Sequence, residues 1–225
     1  MSAIDTTDDL YRPVHIAASP YKTATSSIGR ALIAIGVGTS DMGFRGKLMK
    51  RVQPLANRLN AEAESVVDLK SWIGASGPDL RERLGFLLAE IRPHDVFSDA
   101  PYGHAHLHPA IRKALSPGAR FIWVHRPFED WVNSVRHWEV THPDVYPKHG
   151  RWTTDPASQI LRLRRLWDTH YARFCHTADL FPDDCLELDI GALDSYRAIC
   201  AFYRVPEPDT AFPKANVTAT DRQPG

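Results

Sequence analysis

Arg120-Phe-Ile-Trp-Val-His125, preceded by Ser116-Pro-Gly118 and followed at once by Arg126-Pro127, decides how this chain is read. The apolar run is bounded by a turn signal on one side. On the other, proline stands where a helix takes one most readily, at its first position. The stretch predicts a strand that feeds directly into a helix over about Phe128 to Glu139.

The same alternation recurs on either side of this stretch. Val14-His-Ile-Ala-Ala-Ser19 reads as a short strand, and Ile28, Ala31, Leu32 and Ile35 follow at i, i+3, i+4, i+7, the apolar stripe of a helix. Ser65-Val-Val-Asp-Leu69 predicts a second strand, then a helix carrying Leu80, Leu84, Leu87, Leu88 and Ile91 that Pro93 stops. Asp95-Val-Phe-Ser98 predicts a third strand before a helix with Leu107, Ile111, Ala114 and Leu115. Beyond the opening stretch, Asp155-Pro156 starts a long helix with Ile160, Leu163, Trp167, Tyr171 and Phe174 on one face. Cys185-Leu-Glu-Leu-Asp189 is the fifth strand, and Tyr196, Ile199, Cys200 and Tyr203 mark a last helix ending before Pro206. Strands alternating with helices predict an α/β fold of three layers, α/β/α, around a mostly parallel sheet of about five strands. One domain over residues 12–217 is expected, with a polar lead-in at 1–11 and a flexible tail at 218–225.

Charge narrows the partners. The chain has 225 residues, with 27 Lys and Arg against 27 Asp and Glu, so a general nucleic-acid binder is not expected. A local basic pocket remains compatible with that balance. The three cysteines form no CxxC pair, which argues for free thiols in a reducing compartment. Asp5, Asp8 and Asp9 stand where a signal peptide would be basic, and the apolar stretch from Ala31 to Gly38 is too short to span a bilayer. A cytoplasmic location without membrane contact is therefore expected. The segment from Phe44 to Glu64, with Arg45, Lys47, Lys50, Arg51 and Arg58, is either a helical cap over a site or a solvated basic face.

Chemistry concentrates in the loop after the first strand, Ser19-Pro-Tyr-Lys-Thr-Ala-Thr-Ser-Ser27. A helix start converges backbone N–H groups on an anion. A single N-cap needs one hydroxyl, whereas Thr23, Thr25, Ser26 and Ser27 supply four behind Lys22. It is not a Walker A loop, because no GxxxxGK[ST] occurs. The order Lys22-Thr-Ala-Thr-Ser-Ser27 instead resembles the loop with which the sulfotransferase family grips the 5′-phosphosulfate of 3′-phosphoadenosine 5′-phosphosulfate (PAPS). It departs from that pattern at Ala24, where the family usually has Gly, and at Tyr21, where it usually has Pro or Ser. The opening stretch strengthens the likeness: sulfotransferases end a strand in Arg and carry Ser eight residues later on the next helix, and both bind the 3′-phosphate. Arg126 and Ser134 have that spacing. Arg126 also has a blander use, as a surface ion pair with Glu129 or Asp130. The ending, through Ala211-Phe-Pro-Lys-Ala-Asn216, is similar to that of bacterial-type sulfotransferases, so the resemblance covers roughly residues 12–217. The late basic RKG loop of animal members is missing; that duty is either absent or falls to other residues, Arg162 or Arg165 being candidates.

The resemblance implies transfer of a sulfuryl group from PAPS to a hydroxyl or amine of a small-molecule or carbohydrate acceptor, with Lys22 to Ser27 on the 5′-phosphosulfate, Arg126 and Ser134 on the 3′-phosphate, and no metal. Transfer needs a base on the acceptor and a cation at the leaving oxygen. Lys22 is the cation. Asp99, in Ser98-Asp-Ala-Pro101 at the end of the third strand, is the first candidate base; His104, His106 and His108 rival it, their unperturbed pKa suiting proton transfer near neutrality. Each of these has a structural alternative, as a loop or helix-cap residue. The irregular stretch from Thr141 to Thr154 is the candidate acceptor loop, and Trp167 is expected in the core. Two other functions compete: a nucleotide or small-molecule kinase on the same sheet, against which the missing GK[ST] counts, and a sulfotransferase-like binding protein that no longer catalyses.

Overall fold

Arg120 to His125 lie in β3 (Ala119–His125), buried along most of its length and paired on both sides. The computed structural model describes residues 12–104, 106–144 and 150–215. Around β3 lie β1 (Val14–Ala17), β2 (Val96–Phe97) and β4 (Cys185–Asp189), all parallel, in the order β2-β1-β3-β4. The connections are helical, as parallel pairing demands. After β1 come α1 (Thr25–Ala34), α2 (Gly46–Ser65) and α3 (Leu69–Ile91), and α4 (Pro109–Leu115) joins β2 to β3. Between β3 and β4 run α5 (Phe128–Thr141), the short α6 (Arg151–Thr154) and α7 (Pro156–Leu180); α8 (Arg197–Tyr203) comes last.

Alternate residues of the strands feed two cores. Val14, Ile16, Phe121 and Trp123 pack with α2, α3, α4, α5 and α7, while Ala17, Ile122, Val124 and Leu188 face α1 and α8. Helices thus cover both faces of the sheet. Trp123 anchors the larger core against Trp167 and Phe174, with ring centroids 5.8 and 5.4 Å away. Trp167 is a core residue, as its place on the helical stripe predicts.

The sheet has four strands among the described residues, not five. Ser65 to Leu69 is not a strand: α2 runs through Ser65, Val67 is fully exposed, and Asp68 caps α3 by accepting from the Ser71 N–H and hydroxyl. A β-branched pair without a neighbouring strand has nothing to pair with, and the Asp-x-x-Ser cap carries more weight locally. The free edge of β2 is met instead by Ser40 to Met42: Val96 N–H donates to the Ser40 carbonyl at 3.0 Å, and Met42 N–H to the Val96 carbonyl at 2.9 Å. The basic segment from Phe44 to Glu64 is mostly α2, which buries Val52, Ala56, Leu59 and Ala63 and exposes its Arg and Lys residues to solvent. Ile160 departs from the expected stripe and is exposed. None of the described helices is long and apolar enough to cross a membrane. The expected lead-in at 1–11 and tail at 218–225 lie outside the described residues, as does Val217.

Candidate functional site

The chain leaves β1 toward β2 on one side and returns to β3 on the other, so the C-terminal ends of β1 and β3 flank the crevice where open α/β sheets bind ligands. The loop between β1 and α1 sits there. Lys22 and Ala24 both adopt left-handed backbone, with φ of 67° and 61°. Ala24 is the N-cap of α1 and supplies no side-chain cap; its carbonyl accepts from the Ser27 and Ile28 N–H groups at 2.9 and 3.0 Å. Thr23 turns inward, its hydroxyl donating to the Pro20 carbonyl at 2.6 Å and lying 2.8 Å from Ser19 Oγ. Its side chain braces the loop and does not line the cleft. Trp131 Nε1 donates to the Tyr21 carbonyl, and the Tyr21 hydroxyl donates to the buried carboxylate of Glu139, which Trp152 Nε1 also reaches.

A cleft of about 690 Å³ opens over this loop. Lys22, Ala24 to Ser27, Asp99, His104, His106, Arg126 and Ser134 all line it. Residues far apart in the chain are therefore brought together at one cleft. Arg126 Nη1 donates to the Lys22 carbonyl at 3.0 Å, which ties the end of β3 to the loop and sets two cations side by side. Burial, and then the Arg126 charge, push the Lys22 ammonium below its usual pKa. Lys22 Nζ also lies 5.9 Å over the Trp138 ring. Neither Lys22 nor Arg126 has an ion pair among the described residues; Glu129 and Asp130 do not take Arg126.

Asp99 follows β2 and faces the cleft. Burial raises its carboxyl pKa, against the opposing bond its Oδ1 accepts from the Ala100 N–H at 2.7 Å. His104, at φ 51°, links the two halves of the site: Nε2 lies 3.1 Å from Thr25 Oγ1, and Nδ1 lies 3.6 Å from Asp99 Oδ1. Its backbone N–H donates to the Ala17 carbonyl at the end of β1. Burial pushes His104 down to about 4 and His106 down to about 3, so both rings are neutral at pH 7. His108 is elsewhere, its Nδ1 accepting from the Ala110 N–H as the cap of α4. The turn carrying His104 is held by the fully buried Arg112, whose Nη1 donates to the Tyr102 and His104 carbonyls, both at 2.8 Å. At Gly103 a Cβ would fall 2.5 Å from the Phe97 and Asp99 carbonyl oxygens, so only glycine fits.

Phe44, at the head of the segment expected as a cap or a solvated face, lines the cleft, as does Trp138, an indole able to stack on adenine or an acceptor; Leu193, Phe212 and Lys214, which line it too, escaped the sequence reading. The signal for Lys214 was the Phe-Pro-Lys run after the last helix, an apolar anchor followed by a cation. The candidates Arg162 and Arg165 do not line the cleft; Arg162 bonds Gln159 and approaches Glu139 at 3.6 Å, and Arg165 is exposed on α7. The expected acceptor loop from Thr141 to Thr154 includes residues 145–149, outside the described residues. Chemically, the cleft brings two cations and the Thr25, Ser26 and Ser27 hydroxyls together with one carboxylate able to accept a proton. No family model matches this chain, and no curated protein matches it significantly.

Proposed function

We propose that the chain is a cytoplasmic PAPS-dependent sulfotransferase with a P-loop-type fold, acting on a hydroxyl or amine of a small-molecule or carbohydrate acceptor. The observation that carries this reading is the pairing of Lys22 and Arg126, 104 residues apart, as adjacent cations without carboxylate partners among the described residues, over the start of α1. Such a pair is unfavourable in an empty cleft and suits an anionic nucleotide.

PAPS supplies the sulfuryl group and a phosphate leaving group. In the step, the acceptor oxygen or nitrogen forms a bond to sulfur as the bond from sulfur to the bridging phosphate oxygen breaks. Asp99 accepts the acceptor's proton, a role its raised pKa favours. Lys22 and the α1 N–H groups hold the negative charge that develops on the leaving oxygen. Arg126 and Ser134 orient the nucleotide. His104, neutral, orients Thr25 through Nε2 and stands beside Asp99.

The test is thermal stabilisation by adenosine 3′,5′-bisphosphate and by ATP with Mg²⁺, on the wild-type chain and on Lys22→Ala and Arg126→Ala. A rise in melting temperature with the bisphosphate alone, lost in both variants, is expected. Stabilisation by ATP with Mg²⁺ alone would favour a kinase, and none by either would favour a non-catalytic scaffold.

A further inference from the structure

A second cavity, of about 420 Å³, lies at the opposite edge of the sheet from the cleft, where β3 and β4 begin. Its size falls within the ~300–1,000 Å³ usual for small-ligand sites. Lys113 of α4 lines it and is buried, its ammonium donating to Asp184 Oδ2 at 2.6 Å and to the Ala119 carbonyl at 3.2 Å. An ammonium has three N–H bonds, so one donor is left without an acceptor among the described residues. Arg81 of α3 lines the cavity too and has no ion pair among the described residues. Asp184 is the one carboxylate in the lining, and Lys113 already takes it. Two cations against one carboxylate leave the cavity with one surplus positive charge.

The sequence of α3 opens the space. Gly74, Gly77, Pro78 and Arg81 all line the cavity and recur at i, i+3, i+4 and i+7, on one stripe of the helix. A Cβ on Gly77 would fall 3.2 Å from both Nη1 and Nη2 of Arg81 and 2.9 Å from the Ala114 carbonyl oxygen, so the missing side chain lets the guanidinium fold back along the helix, beside α4. At Gly74 a Cβ would meet nothing within 4 Å. The other walls are apolar: Ile73, Ala114, Pro117 and Phe181, whose ring lies 5.1 Å from Lys113 Nζ. We propose that this cavity binds a small monocarboxylic acid with an apolar aryl or alkyl body, the carboxylate held by Arg81 and the spare Lys113 donor. One surplus cation matches one carboxylate, and apolar walls disfavour a ligand with further charges. The site is separate from the nucleotide cleft and does not rest on the function proposed for it.

The experiment is titration with 3-phenylpropionate and with its neutral amide, followed by saturation-transfer NMR, on the wild-type chain, Gly74→Leu, Arg81→Gln and Lys22→Ala. One charge-assisted hydrogen bond corresponds to a change of roughly 10- to 100-fold, so the wild type is expected to bind the acid more tightly than the amide by that factor. Arg81→Gln should weaken the acid by about tenfold and the amide by less than about threefold. Gly74→Leu fills the cavity with a residue that favours the helix, so binding of both probes should be lost while the melting temperature does not fall. Lys22→Ala should bind as the wild type does. The inference is overturned by a wild-type chain that binds neither probe, by equal affinity for acid and amide, or by full affinity in Gly74→Leu. A loss in Lys22→Ala also overturns it, because the acid would then occupy the nucleotide cleft. Arg81→Gln, on a partly exposed side chain, keeps the test decisive where Gly74→Leu disturbs α3.

Discussion

Acid should unfold this protein through histidines that the fold keeps neutral. His104 and His108 are buried and pushed down to about 4 and about 3, chiefly by desolvation. In the unfolded chain both return to about 6.5. Below that pH the unfolded state binds more protons than the folded one, so stability falls as pH falls, and the loss levels off only below the folded values. Between pH 7.5 and pH 5 each ring contributes a loss of about 2 kcal/mol, or about 4 kcal/mol together. That is a large part of the total stability of a domain. His15 and His170 are also lowered by burial and act in the same direction. Asp99, with its raised pKa, acts oppositely on acidification, so His108, the cap of α4, is the cleaner probe. In His108→Asn the amide oxygen can still accept from the Ala110 N–H, keeping the cap but not the titration. Urea unfolding followed by tryptophan fluorescence at pH 7.5, 6 and 5 should show the variant losing about 2 kcal/mol less than the wild type over that range. Parallel losses in the two proteins would refute the assignment of a depressed pKa to His108.

Three further outcomes follow from the site and its supports. Ala24→Gly relieves the left-handed backbone at the cap of α1 and should raise the melting temperature by about 2–4 °C; no rise would contradict the φ of 61°. Gly29→Ala places a Cβ 2.4 Å from Asp41 Oδ2 and 2.7 Å from Ser98 Cβ, so α1 must shift from β2 at a cost of about 1–3 kcal/mol, read as a lower urea midpoint. Asp99→Asn should preserve bisphosphate binding by calorimetry while lowering sulfuryl transfer about 100-fold or more, whereas joint loss of binding and rate would make Asp99 a brace of the loop.

The sequence was informative wherever a local pattern and its long-range use agree. β4 runs over Cys185 to Asp189 as its apolar alternation predicts, because it pairs with β3 along that length. Arg126 and Ser134 line one cleft because a strand end followed by a helix start can project a residue and its eighth successor to the same side. Ser65 to Leu69 misled because its two valines read as a strand, while the deciding feature was a cap bond from Ser71 to Asp68. Lys214 was hidden for another reason. Its place depends on Phe212 finding Tyr196 and on Ala215 finding Ser27, and neither contact has a periodic signature. His104 appeared among the histidines, but its link to Thr25, 79 residues away, follows from the turn that Arg112 secures.

The pairing of Lys22 with Arg126 explains how a chain of zero formal net charge assembles a strongly cationic site. Arg126 approaches the loop by donating to the carbonyl of the residue whose ammonium it repels. The backbone bond holds the guanidinium where it disfavours the Lys22 charge, a repulsion that an anion would relieve. Relief raises the Lys22 pKa toward its ordinary value on binding, and therefore draws in a fraction of a proton with the ligand wherever the free ammonium is partly titrated. Proton uptake of that kind should grow as pH rises toward the lowered Lys22 pKa, and should vanish in Lys22→Met. Calorimetry in buffers of different ionisation enthalpy measures it directly. Uptake that is unchanged in Lys22→Met would show that the two cations do not share one anion.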